Sequence, residues 1–308
     1  MAVDPPEAIR IRGADPANPA KPVLLLMQMG PGLPIINEAR RLERLLGLEE
    51  AFTVVYWDQR GTGLALRRDA PISVDLMVED TVALLEHLRD RFGAKTYIAG
   101  FSFGATFATY AAVRRPDLVA ALVAVGMDID MPFAEDNAYD FALRTARQRG
   151  NRRAIRQLEA IGRPPHVDVK RFTTRFHWAA DFGGVATNAN RLGIIRALVV
   201  SLLRSPDYSL ADAVRSLRGL TRAQAALLPE LATTDLVGAV PRLEVPIVLV
   251  QGRHDEVAPG AATQRFYDAL TAPSKELVWF DNSAHMPHLE EPGKFRELLV
   301  NVTAHASR

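Results

Sequence analysis

Gly100-Phe101-Ser102-Phe103-Gly104 follows an apolar run, Lys95-Thr96-Tyr97-Ile98-Ala99, and precedes a helix-like run from Ala105 to Arg115. Strand, then G-x-S-x-G, then helix is the context of a sharp turn that presents a nucleophilic serine at its tip. The two glycines fit such a turn because a side chain at either position would meet the neighbouring strand or helix. The order predicts Ser102 at the tip, with its oxygen accessible.

Working outward from this turn, the chain reads as alternating strands and helices. Val23 to Met29 is a continuous apolar run ending at Gly30-Pro31-Gly32, as a strand buried on both faces requires. Phe52 to Trp57, Lys95 to Gly100, Leu118 to Val125, Val245 to Gln251 and Lys275 to Phe280 read the same way. Ile36 to Leu48, Val74 to Phe92 and Pro292 to His305 read as helices. This rhythm predicts an α/β fold with a mostly parallel, doubly wound sheet. It breaks between about Asp128 and Val240, which is rich in arginine and alanine and has no strand-like run. The expected division is a catalytic domain from 1–127 and 241–308, with a helical cap over 128–240. Such an insertion would lie over the C-terminal edge of the sheet, where ligands bind in these folds.

Composition narrows the function classes. The chain has 308 residues, 48% of them hydrophobic, enough for a large core. Lysine plus arginine (37) nearly balances aspartate plus glutamate (36), so no field for nucleic acid or an anionic membrane is expected. The basic run Arg144 to Arg156 carries no interleaved aromatics and reads as a solvated helix face. No cysteine is present, which excludes a thiol nucleophile, a thiolate metal site and disulfides. No H-E-x-x-H or comparable spacing suggests a metal, and no cofactor is expected. Met1 to Pro6 shows no basic-then-apolar leader, and no run is long enough to span a bilayer, so a cytoplasmic protein is expected. The oligomeric state is open.

A serine nucleophile needs a base and an acid that orients it. Gly252-Arg253-His254-Asp255-Glu256 and Asp281-Asn282-Ser283-Ala284-His285 each follow a strand. Ser102, Asp255 and His285 would therefore leave the same end of the sheet and converge. Glu256 and Asp281 compete with Asp255, and His288 with His285; His254 reads as a loop-surface residue. His87, His166, His177 and His305 read as structural or exposed. Two backbone amides should face the developing oxyanion. Phe103, the residue after the serine, and Gly30, in the loop after the first buried strand, are the candidates.

Four motifs in order resemble the α/β-hydrolase superfamily and, within it, the prolyl aminopeptidase (proline iminopeptidase) family. Gly30-Pro31-Gly32 matches the end of that family's H-G-G-P-G loop, with Gln28 and Met29 replacing its first two residues. Trp57-Asp58-Gln59-Arg60-Gly61-Thr62-Gly63 looks like its W-D-Q-R-G-x-G turn, and Gly100 to Gly104 like its elbow. Gly252 to Asp255 and Ala284-His285 resemble its acid and base segments. The resemblance implies an α/β-hydrolase fold and a serine hydrolase acting through an acyl-enzyme on an ester or amide of a small molecule or short peptide. It also implies a cap acid that binds the substrate's amine; the nearest counterpart is Trp178-Ala179-Ala180-Asp181, so Asp181 is the candidate anchor. Phe101 and Trp178, with Phe103, Phe133, Phe141 and Phe176, suggest an aromatic-lined substrate pocket. An esterase, lactonase or thioesterase, a tailoring acyl-transfer enzyme, and a non-catalytic small-ligand receptor remain alternatives.

Overall fold

The computed structural model describes residues 8–14, 21–67 and 70–306. The leader reading at Met1 to Pro6 falls outside them. Seven strands form one sheet: β1 (Ile9–Arg12), β2 (Val23–Met27), β3 (Thr53–Trp57), β4 (Thr96–Phe101), β5 (Val119–Val125), β6 (Ile247–Gly252) and β7 (Lys275–Phe280). Their order is β1-β3-β2-β4-β5-β6-β7. Every pairing is parallel except β1 with β3. This is the doubly wound sheet that the apolar runs announce. The antiparallel β1 was not among the expected strands.

The sheet is covered on both faces, which explains why its central strands are mostly apolar. All five residues of β2 are buried. Leu25 and Met27 turn to one cluster, with α2 (Val74–Phe92) and α3 (Phe103–Arg114). Leu24 and Leu26 turn to the other, with α1 (Ala39–Leu46) and α12 (Pro292–Ala306). The alternation follows from the two-residue period of a strand.

Six helices stand between β5 and β6: α4 (Met131–Gln148), α5 (Arg152–Ile161), α6 (Val169–Asp181), α7 (Arg191–Arg204), α8 (Leu210–Leu231) and α9 (Leu236–Ala239). Each starts at a residue whose side chain accepts a first-turn amide: Asp130, Asn151, Asp168, Asn190, Ser209 and Asp235. These caps fix where the helices begin. Tyr139, Ala142, Ala146, Ala154, Leu158, Trp178 and Phe182 give α4, α5 and α6 a small core of their own. The basic run at the end of α4 and in α5 is largely solvent-facing, with Arg147 paired to Glu159 across it. After β6 come α10 (Gly260–Ala269) and, beyond β7, α11 (Pro287–Glu290).

Helix α8 is pressed onto the loops that leave β2 and β3. A Cβ on Gly32 would lie 2.9 Å from Ala223 Cβ, and one on Gly219 would lie 2.9 Å from the Gly61 carbonyl oxygen. Asp58, from the W-D-Q-R-G turn, accepts hydrogen bonds from the amides of Ile35, Ile36 and Leu64, at 2.9, 3.0 and 2.9 Å, and from the Tyr208 hydroxyl. Arg60 makes a two-pronged ion pair with Asp80 at 2.7 and 2.6 Å. The turn is thus a structural clamp: its acid ties the loop after β2 to the segment between α7 and α8. Among the described residues no helix is long and apolar enough to cross a membrane.

Candidate active site

Ser102 sits between β4 and α3 at φ 52° and ψ −129°. It is the only non-glycine residue at positive φ among the described residues. Such a conformation costs on the order of 1–3 kcal/mol and persists where the surroundings over-determine it. They do so here. A Cβ on Gly100 would lie 2.5 Å from Ala105 Cα, and one on Gly104 would lie 2.4 Å from the Gln28 carbonyl oxygen. Both glycines therefore allow the close approach that holds the turn sharp. As the residue before α3, Ser102 stands at the positive end of a helix dipole, and the amide of Phe103, the first of the helix, has no intrahelical acceptor.

The loop after β6 carries Asp255, and the loop after β7 carries His285. His285 Nδ1 lies 2.7 Å from Asp255 Oδ2. The other carboxylate oxygen accepts the amides of Val257 (2.9 Å) and Ala258 (2.8 Å), which fixes the acid's orientation. The alternatives are engaged elsewhere. Glu256 accepts from Asn137 of α4 at 2.9 Å, and Asp281 pairs with Arg253 at 3.0 Å on the surface. His288 is buried on the other side, its ring 4.2 Å from that of Phe101. Burial, helped by the charges of His285 and Arg41, pushes His288 down to about 3, which keeps it neutral. His254 is exposed.

Gly126 follows β5 at φ 50° and leaves room beside the acid–base pair: a Cβ there would lie 3.0 Å from His285 Nδ1 and 3.3 Å from Asp255 Oδ2. Two residues on stands Asp128, which the sequence reading did not single out. Ser102 Oγ donates to Asp128 Oδ2 at 2.8 Å. The serine proton therefore points at this carboxylate and not at His285 in this form. Burial raises Asp128 to about 6, against the opposing pull of the His285 charge and the Ser102 hydrogen bond. For His285, burial disfavours the charged ring, but the Asp255 and Asp128 charges outweigh it and hold the imidazole above its usual value.

These groups meet at a cavity of about 40 Å³ lined by Gly30, Ser102, Phe103, Asp128, Glu135, Arg175 and His285, with Phe172 and Phe176 among its apolar walls. Ser102 is only 7% exposed, and the elbow opens into this narrow space. Gly30 and Phe103, the two expected amide donors, both border it. The Gly30 loop is tethered by Gln28, whose amide donates to the Pro34 carbonyl (3.0 Å) and accepts from the Met29 amide (3.1 Å). Gln28 thus supplies the loop with hydrogen bonds of its own. In the cavity wall, Arg175 Nη1 lies 2.7 Å from Glu135 Oε1 as an ion pair, without an aligned N–H to Oε1. Glu135 Oε2 also accepts the His166 amide at 3.0 Å.

The three residues expected to bind substrate do not border the cavity. Phe101, on β4, alternates away from Ser102 and packs on His288 and Phe295. Trp178 stacks on Phe182 inside the α4–α6 core and donates to Gln157 at 3.0 Å. Asp181 accepts the Arg191 amide at 3.1 Å and pairs with that side chain at 3.4 Å, holding the start of α7. Helical spacing accounts for this. Phe172, Arg175 and Phe176 share the face of α6 that meets the cavity, and Trp178 and Asp181 lie off it. Spacings of three and four residues ending on aromatics were the available signal. Among the described residues, no cluster of His, Asp or Glu is arranged to hold a metal.

A family model described as alpha/beta hydrolase fold matches residues 34–292. A protein named "Probable aminopeptidase YbaC" from Bacillus subtilis (strain 168) is 30% identical over 97% of this chain and 93% of its own length. A proline iminopeptidase from Heyndrickxia coagulans is 24% identical over 88% of this chain and 87% of its own length. In structure, the proline iminopeptidase of Mycobacterium smegmatis superimposes with a TM-score of 0.63 at 19% identity, over 97% of this chain and 94% of that one. Sheet order, elbow and family match agree, and the chain belongs to the α/β-hydrolase family.

Proposed function

We propose that this protein is a serine hydrolase that cleaves an ester or amide of a small molecule or short peptide through an acyl-enzyme. The observation that carries the reading is the convergence on one cavity of Ser102, at a strained φ of 52°, and His285, whose Nδ1 lies 2.7 Å from Asp255. With Nδ1–H donated to Asp255, the Nε2 lone pair is free to act as base. The Ser102 hydroxyl turns from Asp128 to His285, whose Nε2 takes its proton as Oγ bonds to the carbonyl carbon, and the carbonyl π pair moves to oxygen. The amides of Gly30 and Phe103 hold that oxyanion. The pair returns, the bond to the leaving group breaks, and His285 gives its proton to the departing oxygen or nitrogen. Water then repeats the sequence on the acyl-enzyme, releasing the acid and restoring the Ser102 hydroxyl. In this reading residues 1–127 and 241–308 perform the chemistry, and 128–240 close over it as a cap.

Ser102→Ala should abolish turnover of p-nitrophenyl acetate and alanyl p-nitroanilide. Near-wild-type rates in that variant would refute the assignment. Folding of the variant is checked by an unchanged thermal transition.

A further inference from the structure

Helices α7 and α8 turn apolar residues to solvent. On α7, Leu192, Ile195, Val200 and Leu203 are exposed, Leu192 at 66% and Leu203 at 57%. On α8, Leu210, Val214 and Leu217 are exposed, Leu210 at 71%. At 3.6 residues per turn, each set falls within about a quarter turn of its first leucine and so forms a stripe along one face. Neither helix is free to roll these stripes inward. Leu202 of α7 and Ala213 of α8 are buried in the core beneath, and the turn between the helices is held by Tyr208 on Asp58 and by Asp207 on Arg10. Seven of the eleven large apolar side chains exposed among the described residues lie on this pair of helices. Scattered apolar exposure is ordinary, whereas such a concentration marks an interaction surface.

The charges beside the stripes say what covers them. Arg196 and Arg204 of α7 and Arg218 of α8 are exposed, and no described residue pairs with them. The acids between Arg191 and Arg222 are Asp207 and Asp212, and both are taken, by Arg10 and Arg215. The whole-chain balance of 37 basic and 36 acidic residues conceals this local positive excess. A second copy docked by two-fold symmetry would set these arginines against the same arginine-bordered patch. A soluble protein partner is gripped mainly by aromatic anchors in pockets, and these stripes are wholly aliphatic. An anionic bilayer supplies both halves of the complement: headgroup phosphates for arginine and an acyl boundary for leucine, isoleucine and valine.

We propose that the α7–α8 face is a peripheral docking surface for an anionic phospholipid bilayer. The aliphatic stripes enter the boundary between headgroups and acyl chains, and Arg196, Arg204 and Arg218 pair with lipid phosphates. The protein lies on such a surface and does not cross it. Helix α6 packs on both α7 and α8 and turns Phe172, Arg175 and Phe176 to the Ser102 cavity, so the docked face stands one helix away from that cavity. The proposal is independent of the acyl-transfer reading, and its test uses no substrate.

The test is co-sedimentation of the full chain, at low salt, with vesicles of phosphatidylcholine alone and of a two-to-one mixture of phosphatidylcholine and phosphatidylglycerol. The wild type should bind the mixed vesicles at least about tenfold more tightly than the neutral ones. Each arginine at an anionic surface contributes about fivefold, so Arg196→Gln, Arg204→Gln and Arg218→Gln together should weaken binding to the mixed vesicles about a hundredfold. Leu203→Ser with Leu210→Ser should weaken it about tenfold or more through lost apolar insertion. All five positions are exposed, so the thermal transition should stay unchanged. A wild-type chain that stays in the supernatant overturns the proposal, as does equal binding to both vesicles or unaltered binding in either variant. Sedimentation equilibrium reads the competing occupant: a dimer that Leu203→Ser with Leu210→Ser disperses, without vesicle binding, gives the face to a second copy and overturns the proposal. Should a variant not fold, the comparison of the two vesicles on the wild type still decides.

Discussion

Gly126→Ala isolates the geometry of the acid–base pair. The new methyl carbon would lie 3.0 Å from His285 Nδ1, 3.2 Å from Cε1 and 3.3 Å from Asp255 Oδ2. All three separations are tighter than ordinary carbon contacts, so the ring must retreat by a few tenths of an ångström from Asp255. The backbone adds its own cost, because φ is 50° and an L-residue there loses about 1–2 kcal/mol. Gly150 provides the control: its φ is 62°, yet a Cβ would meet nothing within 4 Å. Gly150→Ala should therefore lose a similar stability, about 1–2 kcal/mol, with no change in turnover. Gly126→Ala should lose at least as much stability and, in addition, about ten- to a hundredfold in kcat, given that a 1 Å misplacement costs about a hundredfold. Urea unfolding and p-nitrophenyl acetate hydrolysis measure the two quantities separately. Wild-type kcat in Gly126→Ala, or an equal loss in Gly150→Ala, would refute the claim that this glycine makes room for the pair.

Two further outcomes follow from the same wall of charges. His285 acts as a base only when neutral, and its pKa is held above the ordinary value, so kcat/KM should fall as pH drops through that raised value. Asp128→Asn removes one of the negative charges that raise it, so the acid limb measured with p-nitrophenyl acetate should move to lower pH; an unmoved or higher limb contradicts the charge assignment. Glu135→Ala leaves Arg175 buried and unpaired, which should cost about 3–5 kcal/mol in urea unfolding. Glu135→Leu with Arg175→Met should recover most of that loss, and a loss in Glu135→Ala below about 1 kcal/mol would show that the pair is not desolvated.

The sheet was legible because its central strands are buried on both faces and so are almost wholly apolar. Strand β1 escaped for the opposite reason. Ile9-Arg10-Ile11-Arg12 is a four-residue edge strand whose isoleucines pack on the core, and so short an alternation is weak beside the long runs. The elbow, and the loops carrying Asp255 and His285, could be named because each follows a strand-like run. Asp128 follows one as well, three residues beyond β5, but no motif marks it; only the fold shows that β5 lies beside β4 and brings the carboxylate to Ser102. The cap was the least readable part. Trp178 and Asp181 were chosen by likeness to a motif, whereas the choice of helix face belongs to tertiary packing. That packing turns Phe172, Arg175 and Phe176 toward the cavity.

The Asp58 clamp bears on how this protein could be rebuilt. One carboxylate receives three amides from two loops of the sheet and a hydroxyl from Tyr208, and Gly63 leaves it no spare room. The helices between β5 and β6 are therefore not an interchangeable cassette. A foreign insertion grafted at those two strands would bring no phenol to that oxygen, and the Gly30 loop would lose the brace that sets its amides. Chimeras that carry Tyr208 with the graft keep both the cover and the floor beneath it; those that omit it begin with a misaligned floor.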